Sequence, residues 1–322
     1  MAVFQPRPGL GDLIWHLPLI RAIAAASASG RVVLITKPST QADVLLEGDP
    51  AIERIVWFDR NPRQGRGRHD GVLGLPRLIA SLRGCGVHSC VLLHHGASLA
   101  AAMCAAGIPN RYGYGTTRAQ RAWLNRLPFL ANVAPFTEAF AQASAYANAA
   151  GFAALPEPAV AIQSQARAAV ALRLAGMATP FAVLGVGCQG QVRQWGAQNF
   201  ARLADSLIAR GTGTVIILGA AHEAAHVNTI LAGVAKPGQV HGALGWPLPE
   251  VAGLLADAAL FIGNDSGMMN LRAAAGRPAY ALFGASGPLT HSTLIRPIIP
   301  SAGPRAGMDQ IAVSQVIEAL AL

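Results

Sequence analysis

Short apolar runs bounded by glycine and proline recur along this chain, and longer alanine- and leucine-rich segments lie between them. Residues 2–5, 31–36, 55–58, 89–93 and 111–115 read as the strands of the first half. Residues 181–187, 214–218, 240–243, 258–262 and 279–283 read as those of the second. Helical segments fall at 13–26, 73–83, 137–150, 164–174, 268–275 and 311–322, and a further one ends at 103–106. Strands alternating with helices throughout predict parallel sheets with helices on both faces. Residues 151–158 hold a glycine and two prolines and are the best linker. The chain therefore reads as two α/β domains, residues 1–155 and 156–322.

One stretch concentrates polar residues between two apolar strands. After the strand at 258–262 come Gly263, Asn264, Asp265, Ser266 and Gly267, then a helical segment stopped by Gly276, Arg277 and Pro278. A helix start carries unpaired N–H groups and partial positive charge, so a phosphate can approach the backbone at Ser266 and Gly267. Asp265 has two readings, a helix cap or a partner for a ribose or sugar hydroxyl. Near the N-terminus the same arrangement appears on a smaller scale. Gly9 and Gly11 allow a tight loop before Asp12, which is either a cap or a carboxylate placed for catalysis.

Composition narrows the field. The chain has 322 residues, 52% hydrophobic and 13% charged, which is a globular composition and suits two domains. No apolar run nears the roughly 20 residues needed to span a bilayer. The N-terminus lacks a basic stretch followed by an apolar one, so a cytoplasmic protein is expected. Cys85, Cys90, Cys104 and Cys188 have neither metal-ligand spacing nor a disulfide framework. His94 and His95 end a strand, where adjacent side chains point opposite ways, which argues against a shared metal. The net charge of +9 favours anionic partners. Residues 61–71 form a polar, basic loop that is either solvated or meets phosphate or carboxylate groups on an acceptor. No nucleic-acid module is visible, and neither half carries the G-x-G-x-x-G dinucleotide fingerprint.

Several motifs resemble those of the ADP-heptose:lipopolysaccharide heptosyltransferases, glycosyltransferase family nine. Asp265, Ser266, Gly267, Leu271, Ala273, Ala274, Arg277, Pro278, Phe283 and Gly284 fit the family's C-terminal signature, with Asn270 standing where the family has His. Gly11, Asp12 and Pro18 lie in a segment similar to its N-terminal motif; Trp15 occupies the usual His slot and His16 follows one residue later. Arg193, Trp195, Asn199 and Phe200 resemble its phosphate-binding loop, with Gly196 in place of Pro. The basic residue that the family has shortly after the position of Gly96 is missing.

The resemblance implies a GT-B fold, two Rossmann-like doubly wound parallel-sheet domains facing a central cleft, with the last helix returning toward the first domain. It implies an inverting glycosyltransferase without a metal or other cofactor, using an ADP-heptose-type sugar as co-substrate. Asp12 would be the general base, with Gly11, His16 and His95 on the acceptor side. Arg193 would hold the donor diphosphate, Glu223 the ribose and Trp246 the adenine, alongside Asp265, Ser266, Gly267 and Asn270. The acceptor would be an anionic lipopolysaccharide core, with peripheral contact at the inner membrane. Two alternatives stay open: a nucleotide-sugar-binding member without transfer, or a transferase for another sugar or a protein acceptor.

Overall fold

The computed structural model describes residues 1–61, 67–130, 139–289 and 291–320. The chain divides into two compact units, Met1–Pro158 and Ala159–Leu322. Part of the basic loop at 61–71, the first two residues of the helix expected at 137–150, and the last two of that at 311–322 lie outside the described residues.

The first unit holds a five-stranded sheet: β1 (Ala2–Gln5), β2 (Val32–Thr36), β3 (Ile52–Trp57), β4 (Ser89–Leu92) and β5 (Asn110–Gly113). Its order is β3-β2-β1-β4-β5, and every pairing is parallel. Phe4 lies opposite Ile35 on one side and Leu92 on the other. Those three side chains pack with Leu78 and Leu82 of the Gly74–Arg83 helix and Leu99 and Met103 of the Ala97–Ala105 helix. The Leu10–Ala25 and Ala139–Ala149 helices pack against each other. The central strands β1, β2 and β4 are short and almost wholly buried because both faces of a parallel sheet are covered, while the edge strands β3 and β5 carry polar residues.

The second unit holds β6 (Phe181–Gly185), β7 (Thr214–Gly219), β8 (Val240–Leu244), β9 (Leu260–Asn264), β10 (Ala279–Leu282) and β11 (Ile295–Ile298). Their order is β11-β10-β9-β6-β7-β8, again parallel throughout. Leu184, Ile217, Ile262 and Leu282 pack with the Ala197–Ala209, Ala224–Gly233 and Val313–Ala319 helices. The Val313–Ala319 helix packs on the Ala197–Ala209 helix, and its Val316 and Ile317 belong to this unit's core.

Both sheets are doubly wound, with the strand order reversing beside β1 in one and β6 in the other. Crossovers leave these central strands toward opposite sides, so space opens at the carboxyl ends between β1 and β4 and between β6 and β9. Strand β11 was not expected. Its sequence, Ile-Arg-Pro-Ile, breaks the apolar pattern, and proline is tolerated because the strand is at the sheet edge.

The Gly267–Ala274 helix is pinned by a buried cation. Arg272 is 2% exposed and donates through Nε to the Pro278 carbonyl at 3.0 Å. Its Nη1 donates to the carbonyls of Leu255 and Ala258, the latter at 3.0 Å, at the end of the Leu248–Asp257 helix. The guanidinium thus satisfies carbonyls that a helix C-terminus leaves open. Burial lowers its pKa to about 10, so it stays charged at neutral pH. Arg272→Met keeps the bulk and removes the donors. It is expected to cost about 3 kcal/mol or more by stranding buried acceptors. Arg277→Met loses a single bond to the Ala256 carbonyl from an exposed side chain and should cost about 1 kcal/mol. Thermal melting of the two variants checks this; equal melting temperatures would contradict it.

Candidate active site

In the first unit the loop after β1 carries Arg7 and Gly9 into the Leu10–Ala25 helix, whose second residue is Gly11. The helix starts three residues earlier than the apolar pattern implies, so Asp12 sits within its first turn. The Asp12 carboxylate folds back and accepts from the Gly9 N–H at 3.2 Å. A Cβ on Gly9 would come within 2.7 Å of the Asp12 Oδ2 atom, so glycine leaves the carboxylate its place. Its other oxygen lies 3.6 Å from Arg7 Nη1. Burial raises the Asp12 pKa, and the Arg7 charge, the Gly9 N–H and the Arg7 hydrogen bond oppose that rise. The result is a shielded carboxylate whose basicity Arg7 restrains.

His16 was expected on the acceptor side, but it is fully buried. Its Nδ1 lies 2.7 Å from the Asp12 carbonyl, which only accepts, so the proton is on Nδ1. Nε2 then accepts from the Tyr114 hydroxyl at 3.2 Å. Burial and Arg7 push the His16 pKa down to about 3, so the ring is neutral. It braces the Asp12 turn from beneath and presents no free edge. The Tyr114 ring also meets that of His95 at 5.6 Å. His95 donates from Nε2 to Gln142 Oε1 at 2.9 Å, and its Nδ1 accepts from the Thr116 hydroxyl at 2.8 Å. His94 accepts the Gly96 N–H on Nδ1 at 2.9 Å, and burial, then Arg7, lower its pKa to about 4. Gly11, Asp12, His16 and His95 therefore belong to one neighbourhood at the carboxyl ends of β1 and β4. Arg7 belongs with them and carries no motif that reveals it.

In the second unit Arg193 Nη1 lies 3.2 Å from Asp265 Oδ2, and the Ser286 hydroxyl donates to the same oxygen at 2.7 Å. Asp265 directly follows β9, and Arg193 ends a single turn after β6, so they meet at the carboxyl ends where the strand order reverses. Asn264 is buried and donates to the Val186 carbonyl at 2.8 Å and to Gln194 at 3.0 Å. Among the described residues, Asn264 Oδ1 and Ser266 Oγ are buried with no partner. Ser266 is the first residue before the Gly267–Ala274 helix, yet its hydroxyl makes no capping bond. A helix start with an uncommitted hydroxyl and an arginine beside it is suited to an anion.

The remaining predicted residues fall differently. Asn270 is 3% exposed and donates back to the Ser266 carbonyl at 3.1 Å, bracing the turn. Glu223 accepts the Cys188 N–H at 3.2 Å and the Ala220 N–H at 2.8 Å, clasping the loops after β6 and β7. A Cβ on Gly187 would lie 2.6 Å from Glu223 Oε2, which explains that glycine. Trp246 follows the edge strand β8, and the Arg173 guanidinium covers one ring face at 4.7 Å. Arg173 is held there by Glu250 at 2.6 Å. Trp195 packs edge-to-face on Phe200 and donates to the Ile311 carbonyl, beneath the loop. Gly196 has φ +98, a conformation closed to the proline that the family motif places there. Among the described residues no group of three or more His, Cys, Asp or Glu could hold a metal ion, and no helix is long and apolar enough to cross a membrane.

Comparison with known proteins gives this geometry a context. The chain superposes on E. coli ADP-heptose lps heptosyltransferase II with a TM-score of 0.76 at 22% identity, covering 100% of this chain and 98% of that one. A glycosyl transferase family 9 protein from Veillonella parvula gives 0.80 at 18%, covering 99% and 96%. The E. coli heptosyltransferase WaaC with ADP-2-deoxy-2-fluoro heptose gives 0.73 at 18%, covering 100% and 99%. At such identities these matches establish the GT-B fold class. No curated protein matches the sequence. The profile of glycosyltransferase family 9 (heptosyltransferase) matches residues 76–302, well over half the chain. The chain belongs to glycosyltransferase family 9 and is a glycosyltransferase of the heptosyltransferase type.

Proposed function

We propose that the protein transfers a heptose or related sugar from an ADP-sugar to an anionic lipopolysaccharide-core acceptor, with inversion and without a metal. The observation that carries this reading is the contact of Arg193 with Asp265 beside the unpartnered Ser266 hydroxyl. An incoming diphosphate can take over the Arg193 guanidinium in two parallel hydrogen bonds. Asp265, then released, is free to accept from a sugar or ribose hydroxyl. The WaaC protein that this chain resembles was solved with an ADP-heptose analogue, which supports the choice of donor class. Glu223 acts by clasping the loops around the donor, and Trp246 offers a ring face to the base.

In the transfer, Asp12 takes the proton of an acceptor hydroxyl as its oxygen attacks the anomeric carbon. The bond from that carbon to the diphosphate breaks on the opposite side, and ADP leaves. Negative charge collects on the departing phosphate, where Arg193 and the Ser266–Gly267 amides stabilise it. A cation and a helix start thereby supply what a divalent ion supplies in other transferases.

Asp12→Asn is expected to keep its melting temperature and ADP affinity and to lose about a hundredfold to ten-thousandfold in turnover. A panel of nucleotide sugars with product analysis is the assay; wild-type turnover in the variant would remove Asp12 from the chemistry. Arg7→Met probes the same carboxylate through pH. A base works only when ionised, so activity falls as pH drops through its pKa. Losing the nearby cation raises that pKa further, so the acid limb of the kcat/KM profile should move to higher pH. An unmoved or downward-shifted limb would show that Arg7 does not act on the base.

A further inference from the structure

The helices that follow the two switch points share one local device. In the second unit Asn270 reaches back four residues and donates to the Ser266 carbonyl at 3.1 Å. In the first unit His16 reaches back the same distance along the chain and donates from Nδ1 to the Asp12 carbonyl at 2.7 Å. Each side chain ties the backbone of a turn residue to the next turn of its helix. An amide can do this unaided. An imidazole can do it only while its proton is on Nδ1, and the partner of the other nitrogen decides that.

Two fully buried groups face the His16 ring and favour opposite tautomers. The Gln5 amide nitrogen, on β1, lies 3.5 Å from Nδ1, and Thr36 on β2 fixes that amide by donating to its Oε1 at 2.8 Å. A donor placed there favours the proton on Nε2. The Tyr114 hydroxyl, directly after β5, lies 3.2 Å from Nε2 and favours the proton on Nδ1. Burial pushes the Tyr114 pKa up, so the phenol keeps its proton. Were the histidine proton on Nε2, the Tyr114 oxygen would have to accept it. Its own proton would then be buried with no acceptor among the described residues, and the 2.7 Å bond to Asp12 would be lost. That costs more than a contact at 3.5 Å returns, so Tyr114 decides the tautomer. Its ring is held in turn by Tyr146, edge-on at 5.7 Å, from the Ala139–Ala149 helix that packs on the Leu10–Ala25 helix.

We propose that Tyr114 is a positioning residue for the base: its hydroxyl holds His16 in the Nδ1–H tautomer that fastens the Asp12 turn, and so sets where the carboxylate stands. The Gly9 N–H and Arg7, which meet the carboxylate directly, both belong to the loop after β1. The bond from His16 to the Asp12 carbonyl, backed by Tyr114, ties that same turn to the end of β5, two strands away across the sheet. A displacement of about 1 Å at a reacting group can cost roughly a hundredfold in rate, so this depth matters. The use in transfer rests on Asp12 being the base of the proposed reaction; the tautomer does not depend on it.

Nuclear magnetic resonance of the whole protein with isotope-labelled histidine reads the tautomer, the His16 signals being those lost in His16→Asn. Wild type is expected to show a protonated Nδ1 and a bare, hydrogen-bonded Nε2. Tyr114→Phe keeps the ring and removes the donor. Its His16 Nε2 signal should move toward that of an unbonded nitrogen, and kcat should fall about tenfold to a hundredfold. KM should stay within about twofold, because substrate contacts are untouched. His16→Asn copies the arrangement of Asn270 and should keep more kcat than His16→Leu, which cannot donate. A wild-type proton on Nε2, wild-type kcat in Tyr114→Phe, or equal kcat in the two His16 variants would overturn the proposal. Should Tyr114→Phe fail to fold, the wild-type spectrum and the His16 pair still decide. Asp12→Asn, measured alongside, separates this proposal from the function it serves. Full turnover in that variant would sink the base and leave the tautomer standing; its loss, with Tyr114→Phe as active as wild type, would sink the positioning role alone.

Discussion

Parallel pairing constrains this molecule more than any single contact. Every strand in both sheets runs the same way as its neighbours, so each returns through a crossover and the turns that carry Asp12 and Asp265 leave the carboxyl ends of their strands. Where the order reverses, beside β1 and β6, two crossovers diverge and leave room for side chains. Asp12, Arg7 and the His94–His95 pair occupy that position in one unit; Arg193, Asp265 and Ser266 occupy it in the other. The helix that follows each of those turns begins with N–H groups that need an acceptor from outside the helix ladder, and a carboxylate or phosphate suits their partial positive charge. Glycine is required at several of these points because another backbone or carboxylate approaches too closely for a Cβ. Gly9 and Gly187 show this most directly.

Much of this was legible in the sequence because the central strands are apolar, short and spaced by helices. The pattern located every central strand and missed β11, whose Arg296 and Pro297 suit only an edge. The glycine-rich turns pointed to Asp12 and Asp265, and the family motif brought Arg193 to attention. What the sequence could not show were contacts made across the fold. His16 was expected on the acceptor side from a motif one residue out of register, and Tyr114, almost a hundred residues on, meets its buried ring. Asn270 and Glu223, expected at the donor, also hold neighbouring backbone, a contact that their motifs do not reveal. Arg7 and Ser286 have no periodicity or motif; only folding sets them beside the carboxylates.

The electrostatics follow one rule on both units. Carboxylates are few and almost all occupied: Asp12 on Gly9, Asp59 and Asp70 on backbone amides, Asp265 on Arg193 and Ser286. Arginines are many and largely uncompensated, as the net charge of +9 records. A surface arranged this way favours anions, and the second unit's switch point joins that charge to a helix start.

The central claim is that the Arg193–Asp265 pair is a resting state which a diphosphate replaces. Titration calorimetry of ADP and of adenosine, on wild type and on Arg193→Ala, tests this most directly. The account predicts that the variant loses ADP affinity by roughly tenfold or more, the scale of a charge-assisted hydrogen bond, while adenosine binds both proteins alike. Equal weakening of both ligands, or ADP binding that does not change, would contradict it.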